Sequence, residues 1–276
     1  MEGFDGKVCV VTGAGSGIGQ ALAIALGRSG AKLAISDVDT EGLAVTTERL
    51  QAMGVEVKAD RLNVTEREAF LLYADEVKAY FGKVNQIYNN AGIAHTGDIE
   101  ICEFKEIERV VDVDFWGVVN GTKAFLPHLI ESGDGHVVNV SSLFGIFSVP
   151  GQSAYNAAKF AVRGFTEALY QEMKINKHPV AVTTVHPGGI KTAIARNATA
   201  SGEVDSNELA KLFDKRLANT TPERAATIIL EAVRKKKPRV LVGADAKVLD
   251  FIVRMTGSGY LDAFSGVTSR LMPSKG

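Results

Sequence analysis

The sequence predicts an α/β fold, a doubly wound parallel sheet with helices on both faces. Three observations carry that reading. Apolar runs alternate with amphipathic helical stretches from Lys7 to Val185. A glycine-rich turn follows the first run directly, and an aspartate ends the second.

Taken in order, Lys7–Thr12 reads as a strand buried on both faces, Gln20–Ser29 as a helix and Lys32–Asp37 as a second strand. Thr40–Met53 has helical periodicity, Val55–Asp60 reads as a strand, and Glu66–Phe81 as a helix. Val84–Tyr88, Gly135–Val140 and Val180–Val185 supply further strands, separated by helices around Glu106–Ile130 and Ala154–Lys174. Right-handed crossovers then make the strands parallel. From Ile194 to Leu217 the pattern turns polar and irregular. Pro222 opens a helix to Arg234 that Thr221 is placed to cap, and Lys235-Lys236-Lys237 reads as its solvated end. Arg239–Gly243 is the last strand. The tail, Val248–Met272, is semi-amphipathic and has three places to pack: the domain, a partner subunit or a substrate opening. One domain over residues 1–276 is expected, with a core of about 7–192 and a variable region of about 193–276.

Composition removes several classes. Thirty-one Lys+Arg against 32 Asp+Glu leave no global field to draw in nucleic acid or anionic lipid. An apolar content of 46% excludes a disordered chain. The two cysteines, Cys9 and Cys102, form no CxxC pair, which excludes a disulfide framework and fits a reducing compartment, so a cytoplasmic location is expected. Residues 1–6 carry acids and no apolar stretch, unlike a secretory signal. The uncharged run Val137–Ala158 holds too many Asn, Ser, Gln, Gly and Pro residues for a bilayer span. The five histidines show no HExxH or clustered spacing, so no metal is expected, and no GxSxG elbow marks a serine hydrolase.

The turn Thr12-Gly13-Ala14-Gly15-Ser16-Gly17-Ile18-Gly19 joins a strand to a helix. Such a turn brings backbone N–H groups and the positive helix end to a pyrophosphate. It fails the strict GxGxxG test at Ile18 and is no Walker loop. Asp37, 18 residues past Gly19, stands where a carboxylate accepts both ribose hydroxyls and repels a 2′-phosphate, which selects NAD(H) over NADP(H). Read alone, the turn also fits a tight connection with no ligand, and Asp37 also fits a helix cap. Further on, Tyr155 and Lys159 are four apart and share a helix face. An ammonium there favours the phenolate over the phenol. Ser142, at the end of the Gly135–Val140 strand, offers a hydroxyl to a substrate oxygen.

On these residues the chain resembles the classical short-chain dehydrogenase/reductase family over residues 7–192, and more loosely over 221–243. The turn from Thr12 to Gly19 is similar to that family's TGxxxGxG, and Asn89-Asn90-Ala91-Gly92 to its NNAG motif. Ser142 lies thirteen residues before Tyr155, the family's spacing, and Pro187-Gly188 with Ile190 and Thr192 resembles the segment that holds the nicotinamide carboxamide. The resemblance implies a Rossmann fold with seven strands in the order 3-2-1-4-5-6-7, assembled as a homotetramer or dimer. It implies Tyr155 as general acid/base, Lys159 on the nicotinamide ribose, and Ser142 on the substrate oxygen. The cofactor is expected on Gly13, Ser16, Gly17, Ile18, Gly19, Asp37, Asn63, Val64, Asn90, Ala91, Gly92, Tyr155, Lys159, Pro187, Gly188, Ile190 and Thr192.

Two positions depart from the family pattern. Asp114 stands where Asn usually holds a relay water, and its charge is expected to offset Lys159 and raise the tyrosine pKa while keeping the relay role. Asn63 replaces an aspartate that meets the adenine amino group, and its amide oxygen is expected to accept the same bond. The apolar loop Leu143–Pro150 reads either as core or as a pocket in which Phe144, Phe147 and Val149 meet a hydrophobic substrate, with Gln152 at the polar end. His95 and Thr96 border the same space. The expectation is an NAD(H)-dependent oxidoreductase that interconverts a secondary alcohol and a ketone on a hydrophobic small molecule. The alternative is a catalytically idle nucleotide-binding scaffold or sensor on the same fold.

Overall fold

The computed structural model describes residues 3–191, 198–201 and 220–271. Its strands are β1 (Val8–Thr12), β2 (Lys32–Asp37), β3 (Val57–Arg61), β4 (Gln86–Asn89), β5 (His95–Thr96), β6 (Gly135–Val140), β7 (Val180–Pro187), β8 (Thr199–Ala200) and β9 (Arg239–Val242). Seven make one parallel sheet in the order β3-β2-β1-β4-β6-β7-β9, and β5 and β8 pair separately. With those two short strands set aside, the order is the expected 3-2-1-4-5-6-7. Central strands of a parallel sheet are covered on both faces, so β1, β4 and β6 are buried at every position, while β3 at the edge is partly exposed.

Helices α1 (Gly17–Gly27), α2 (Thr40–Ala52), α3 (Arg67–Phe81), α4 (Phe104–Val111), α5 (Gly117–Glu131), α6 (Ser153–Ile175), α7 (Pro222–Arg234), α8 (Ala244–Thr256) and α9 (Tyr260–Leu271) complete the fold. Alternate side chains of β1 serve opposite cores. Cys9 and Val11 join Leu22, Leu26, Leu50, Ile229 and Val233 from α1, α2 and α7. Val10 joins Phe70, Phe125, Leu169 and Met173 from α3, α5 and α6. Thr221 caps α7 through the Arg224 amide at 3.2 Å, with Pro222 in the first turn, as its sequence predicts.

Two regions differ from the sequence reading. The expected helix Glu106–Ile130 is interrupted by a π-helical turn, Asp112–Trp116, between α4 and α5. Periodicity does not register the widened turn because the apolar stripe continues on both sides of it. The tail forms α8 and α9, whose Leu249, Val253, Tyr260 and Phe264 pack with Phe144, Ile146 and Phe147 of the loop between Ser142 and Tyr155. Ser148 N–H donates to the Tyr260 hydroxyl at 3.3 Å, and the Phe147 and Phe264 rings lie 5.1 Å apart. Of the three places open to the tail, these contacts are with the domain itself, in a third apolar cluster beside the loop between Ser142 and Tyr155. Thr192 and nearly all of the Ile194–Leu217 segment lie outside the described residues. Among the described residues, no helix is long and apolar enough to cross a membrane.

Candidate active site

The glycine turn is held from behind by a neighbouring strand end. Thr12 Oγ1 accepts the Asn90 and Ala91 amides at 3.0 and 3.1 Å, and Asn90 Nδ2 donates to the carbonyls of Thr12 and Gly13 at 3.0 and 3.2 Å. Gly13 and Gly17 adopt positive φ angles of 66° and 54°, which glycine alone takes at little cost. A Cβ on Gly19 would run into the Gly13 carbonyl, so this glycine lets α1 start against the turn. Ser16 is the N-cap of α1, exposed, with its hydroxyl making no capping bond. Ile18 is buried in the core, so its contribution to an anion site is its backbone amide.

Asp37 faces this turn. Its Oδ2 accepts Gly15 N–H at 2.8 Å and its Oδ1 accepts Asp39 N–H at 3.0 Å. The cap of α2 is Asp39, which accepts from Gly42 N–H at 3.1 Å, so the helix-cap reading of Asp37 is set aside. Two amide bonds leave Asp37 spare lone pairs for hydroxyl donors. Asn63 is engaged locally. Its amide oxygen already accepts the Thr65 amide at 3.2 Å and hydroxyl at 3.0 Å, while Nδ2 donates to Glu66 at 3.0 Å. An adenine amino group would share this oxygen with Thr65. Val64 is buried against α5, and its carbonyl accepts from Asn120 Nδ2 at 3.0 Å.

A second group of side chains converges from β6, the π turn and α6. Lys159 Nζ lies 3.3 Å from Asp114 Oδ2, 3.3 Å from the Val140 carbonyl and 5.4 Å from the centre of the Tyr155 ring. Asp114 is fully buried, and its Oδ1 accepts Ile93 N–H at 2.8 Å. Gly92 keeps this space open, since a Cβ there would come 3.2 Å from Asp114 Oδ1 and 3.4 Å from Lys159 Nζ. Tyr155 is half-buried, hydrogen-bonds with Ser142 and stands edge-on to Phe144 at 6.0 Å. Gln152 donates to Thr96 Oγ1 at 2.6 Å.

The electrostatics follow the direction expected from Asp114 and add burial as a further cause. Burial raises the Tyr155 phenol above its ordinary pKa; Lys159 opposes this, Asp114 adds to it, and the Ser142 bond opposes it. The net direction is upward, as expected from Asp114, although the ammonium by itself favours the phenolate. Burial is the largest cause, and Asp114 adds to it by offsetting part of the ammonium's field. Burial pulls the Lys159 ammonium down, but Asp114 and Tyr155 together carry it above its usual value. Burial raises the Asp114 carboxyl, and Lys159 and the Ile93 amide act against that.

Three structural residues escaped the sequence reading. His186 is buried and donates through Nδ1 to the Ser142 carbonyl at 2.9 Å, fixing the strand end that carries the hydroxyl. Ser141 anchors α6 by donating to the Lys159 carbonyl at 2.8 Å. Asp245 accepts Gly189 N–H at 2.7 Å and lies against Gly188, where a Cβ would collide with it, so it shapes the Pro187–Ile190 segment. Ile190 itself is buried in the core and bridges to Thr220. A fourth feature, the approach of His95, Cys102 and Glu106 to one another, has no spacing signature because β5 and α4 meet only in three dimensions.

Comparison with known proteins places this arrangement. A family model described as short chain dehydrogenase matches residues 7–202. A protein named putative oxidoreductase SadH from Mycobacterium tuberculosis (strain CDC 1551 / Oshkosh) is 61% identical over 273 residues, covering 99% of each chain. A short chain dehydrogenase/reductase from Burkholderia phymatum, solved in complex with NAD, superposes with a TM-score of 0.86 at 29% identity, covering 93% of this chain and 95% of that one. An alcohol dehydrogenase from the archaeon Thermococcus sibiricus, complexed with 5-hydroxy-NADP, gives 0.72 at 26% identity, with 86% and 96% covered.

Proposed function

The chain belongs to the short-chain dehydrogenase family of oxidoreductases, and we propose that it interconverts a secondary alcohol and a ketone on a hydrophobic small molecule with NAD(H) as cofactor. The observation that carries this reading is the convergence of Ser142, Tyr155, Lys159 and Asp114 beside a glycine turn faced by Asp37. The idle-scaffold alternative gives these buried charges no task.

The residues fit the cofactor. Gly13, Ser16, Gly17, Ile18 and Gly19 present amides and a helix N-terminus to a pyrophosphate. Asp37 holds ribose hydroxyls and disfavours a 2′-phosphate. Asn90, Ala91, Gly92, Pro187, Gly188 and Ile190 border the remainder. When bound, NAD supplies the hydride acceptor, and the reaction balances as alcohol + NAD⁺ giving ketone + NADH + H⁺. Tyr155 takes the hydroxyl proton, or returns it to the carbonyl in the reverse direction. Ser142 donates to the substrate oxygen as charge develops there. Lys159 steadies the phenolate and a ribose hydroxyl. Asp114 keeps Lys159 charged, and its buried Oδ2, which lacks a well-aligned hydrogen-bond donor, supports a bound water that passes the proton onward. Phe144 lies against Tyr155, and Phe147 joins it to α9, so the apolar side of the site continues into the tail. Gln152 supplies the polar rim.

A panel of secondary alcohols and ketones followed by NADH absorbance tests the reading. Turnover that is lost in Tyr155→Phe while NADH still binds supports it. NADH binding without turnover on any alcohol or ketone favours the scaffold. We further read the protein as a homo-oligomer of one-domain subunits in the cytoplasm. Exposed Phe104, Trp116 and Phe160 support self-association, which light scattering after size exclusion decides.

A further inference from the structure

Outside the Tyr155 group, β5, the turn before α4 and the first turn of α4 bring together three side chains of metal-ligand type. His95 is buried, and its Nε2 lies 3.8 Å from Cys102 Sγ and 3.5 Å from Glu106 Oε2. One donor atom from each of the three residues lies within 4.8 Å of the other two. In a tetrahedral zinc site, metal–sulfur bonds of about 2.3 Å and metal–nitrogen or metal–oxygen bonds of about 2.0–2.2 Å put neighbouring donors about 3.3–3.6 Å apart. The His95 distances therefore sit within a few tenths of an ångström of coordination geometry.

The surroundings agree. Coordination through Nε2 leaves the proton on Nδ1, and Thr199 Oγ1 stands 2.8 Å from Nδ1 to accept it. A thiolate and a carboxylate together neutralise a dication, and imidazole adds no charge. The Ser201 hydroxyl meets the same three groups, 2.6 Å from Glu106 Oε2, 2.8 Å from His95 Nε2 and 3.5 Å from Cys102 Sγ; the first two are hydrogen-bond distances, so it would draw back by about 0.5 Å to stand beside them as a fourth ligand. Gly97 packs against the cluster so tightly that a Cβ would come 2.7 Å from Cys102 Sγ and 2.9 Å from Ser201 Oγ.

We propose that His95, Cys102 and Glu106 form a zinc-type metal site, with the Ser201 hydroxyl or a water that it orients in the fourth position. Binding replaces the Cys102 thiol proton, which leaves to solvent. The ion would tie β8 to the loop leading into α4. The neighbouring Thr96 and Gly97 meet Gln152 and Gly151 at the start of α6, so the tie lies one residue from the polar rim of the candidate active site.

Cobalt(II), titrated into untagged apo protein, tests this. A thiolate-to-cobalt charge-transfer band that saturates at one equivalent per chain, yields to zinc and disappears in Cys102→Ser is the expected result. Glu106→Gln is expected to weaken binding at least tenfold. The absence of the band, or a band of unchanged intensity in Cys102→Ser, overturns the proposal. Should Cys102→Ser fail to fold by circular dichroism, alkylation of the wild-type chain decides instead. Zinc is expected to slow modification of the half-buried Cys102 at least tenfold, with fully buried Cys9 inert throughout, and an unchanged rate of Cys102 alkylation overturns the site.

Discussion

Asp37 and Asp114 mark two halves of the candidate site, and they are held in opposite ways. Asp37 sits at the rim of β2 and is met by backbone amides from Gly15 and Asp39. Asp114 is sealed inside, between the Ile93 amide and the Lys159 ammonium. Under the proposed function the first carboxylate is a recognition element in a polar turn, where a substitution is expected to remove a preference and little else. The second belongs to a desolvated charge group in which each member sets the protonation of the next. The contrast teaches that cofactor choice and proton transfer are separable here, and substitutions can test that separation.

The largest effect is expected where the comparison is sharpest. Tyr155→Phe removes the proton carrier and leaves the glycine turn untouched. Turnover is expected to fall by roughly 10²–10⁴-fold, the range for a general acid–base group, with NADH affinity little changed. Fluorescence titration alongside steady-state rates separates the two quantities. Parallel loss of binding and rate would mean that the halves are not independent.

Asp114 comes next. Asp114→Ala strands a buried ammonium and is expected to cost about 3–5 kcal/mol of stability, read by urea denaturation. Asp114→Asn keeps the shape and removes the charge that raises Tyr155. Its phenol then titrates lower, so the acidic limb of the oxidation-rate profile is expected to move to lower pH. Unchanged turnover and pH profile in both variants would remove Asp114 from the relay.

The same division governs what the chain discloses before it is folded. The TGxxxGxG turn and Asp37 are legible because they stand close in sequence and the Gly15–Asp37 bond, spanning 22 residues, uses a backbone amide that any sequence supplies. Tyr155 and Lys159 are legible as a pair on one helix face. The offset of Lys159 by Asp114 is legible once the family resemblance is seen, but the burial that outweighs the ammonium is a property of the whole fold. Asn63 shows a local bond that the resemblance does not disclose: its oxygen meets Thr65, two residues away. His186 gave no local signal at all, since its partner, the Ser142 carbonyl, lies 44 residues away.

His186 supplies an acid-stability prediction for the buried half. Burial pushes its pKa down to about 4 and that of His136 down to about 3, from an ordinary 6.5. Both are therefore neutral in the folded chain between pH 4 and 6.5, while the unfolded chain takes up their protons. The unfolded state binds more protons in that window, so stability rises with pH there and is lost as pH falls from about 6.5. Each group contributes up to about 1.4 kcal/mol per pH unit across its own window. Urea midpoints at pH 7, 6 and 5 are expected to fall in that order, less steeply in His136→Gln. An acid slope that is the same in wild type and His136→Gln would contradict the assignment.

The smallest effect belongs to the exposed half. Asp37→Ala removes the group that repels a 2′-phosphate, while Arg61, opposite Asp37 in the β2–β3 register and exposed, remains to attract one. NADH is expected to lose about tenfold in affinity, near 1.4 kcal/mol, as its ribose contacts go. NADPH is expected to gain by a smaller factor, narrowing the gap between the two. Direct titration of wild type and variant with both nucleotides reads the change, with Arg61→Ala added to remove the NADPH gain. A wild-type chain that binds NADPH more tightly than NADH would reverse the recognition role given to Asp37. The proton-transfer half would stand unaltered, which is what separability requires.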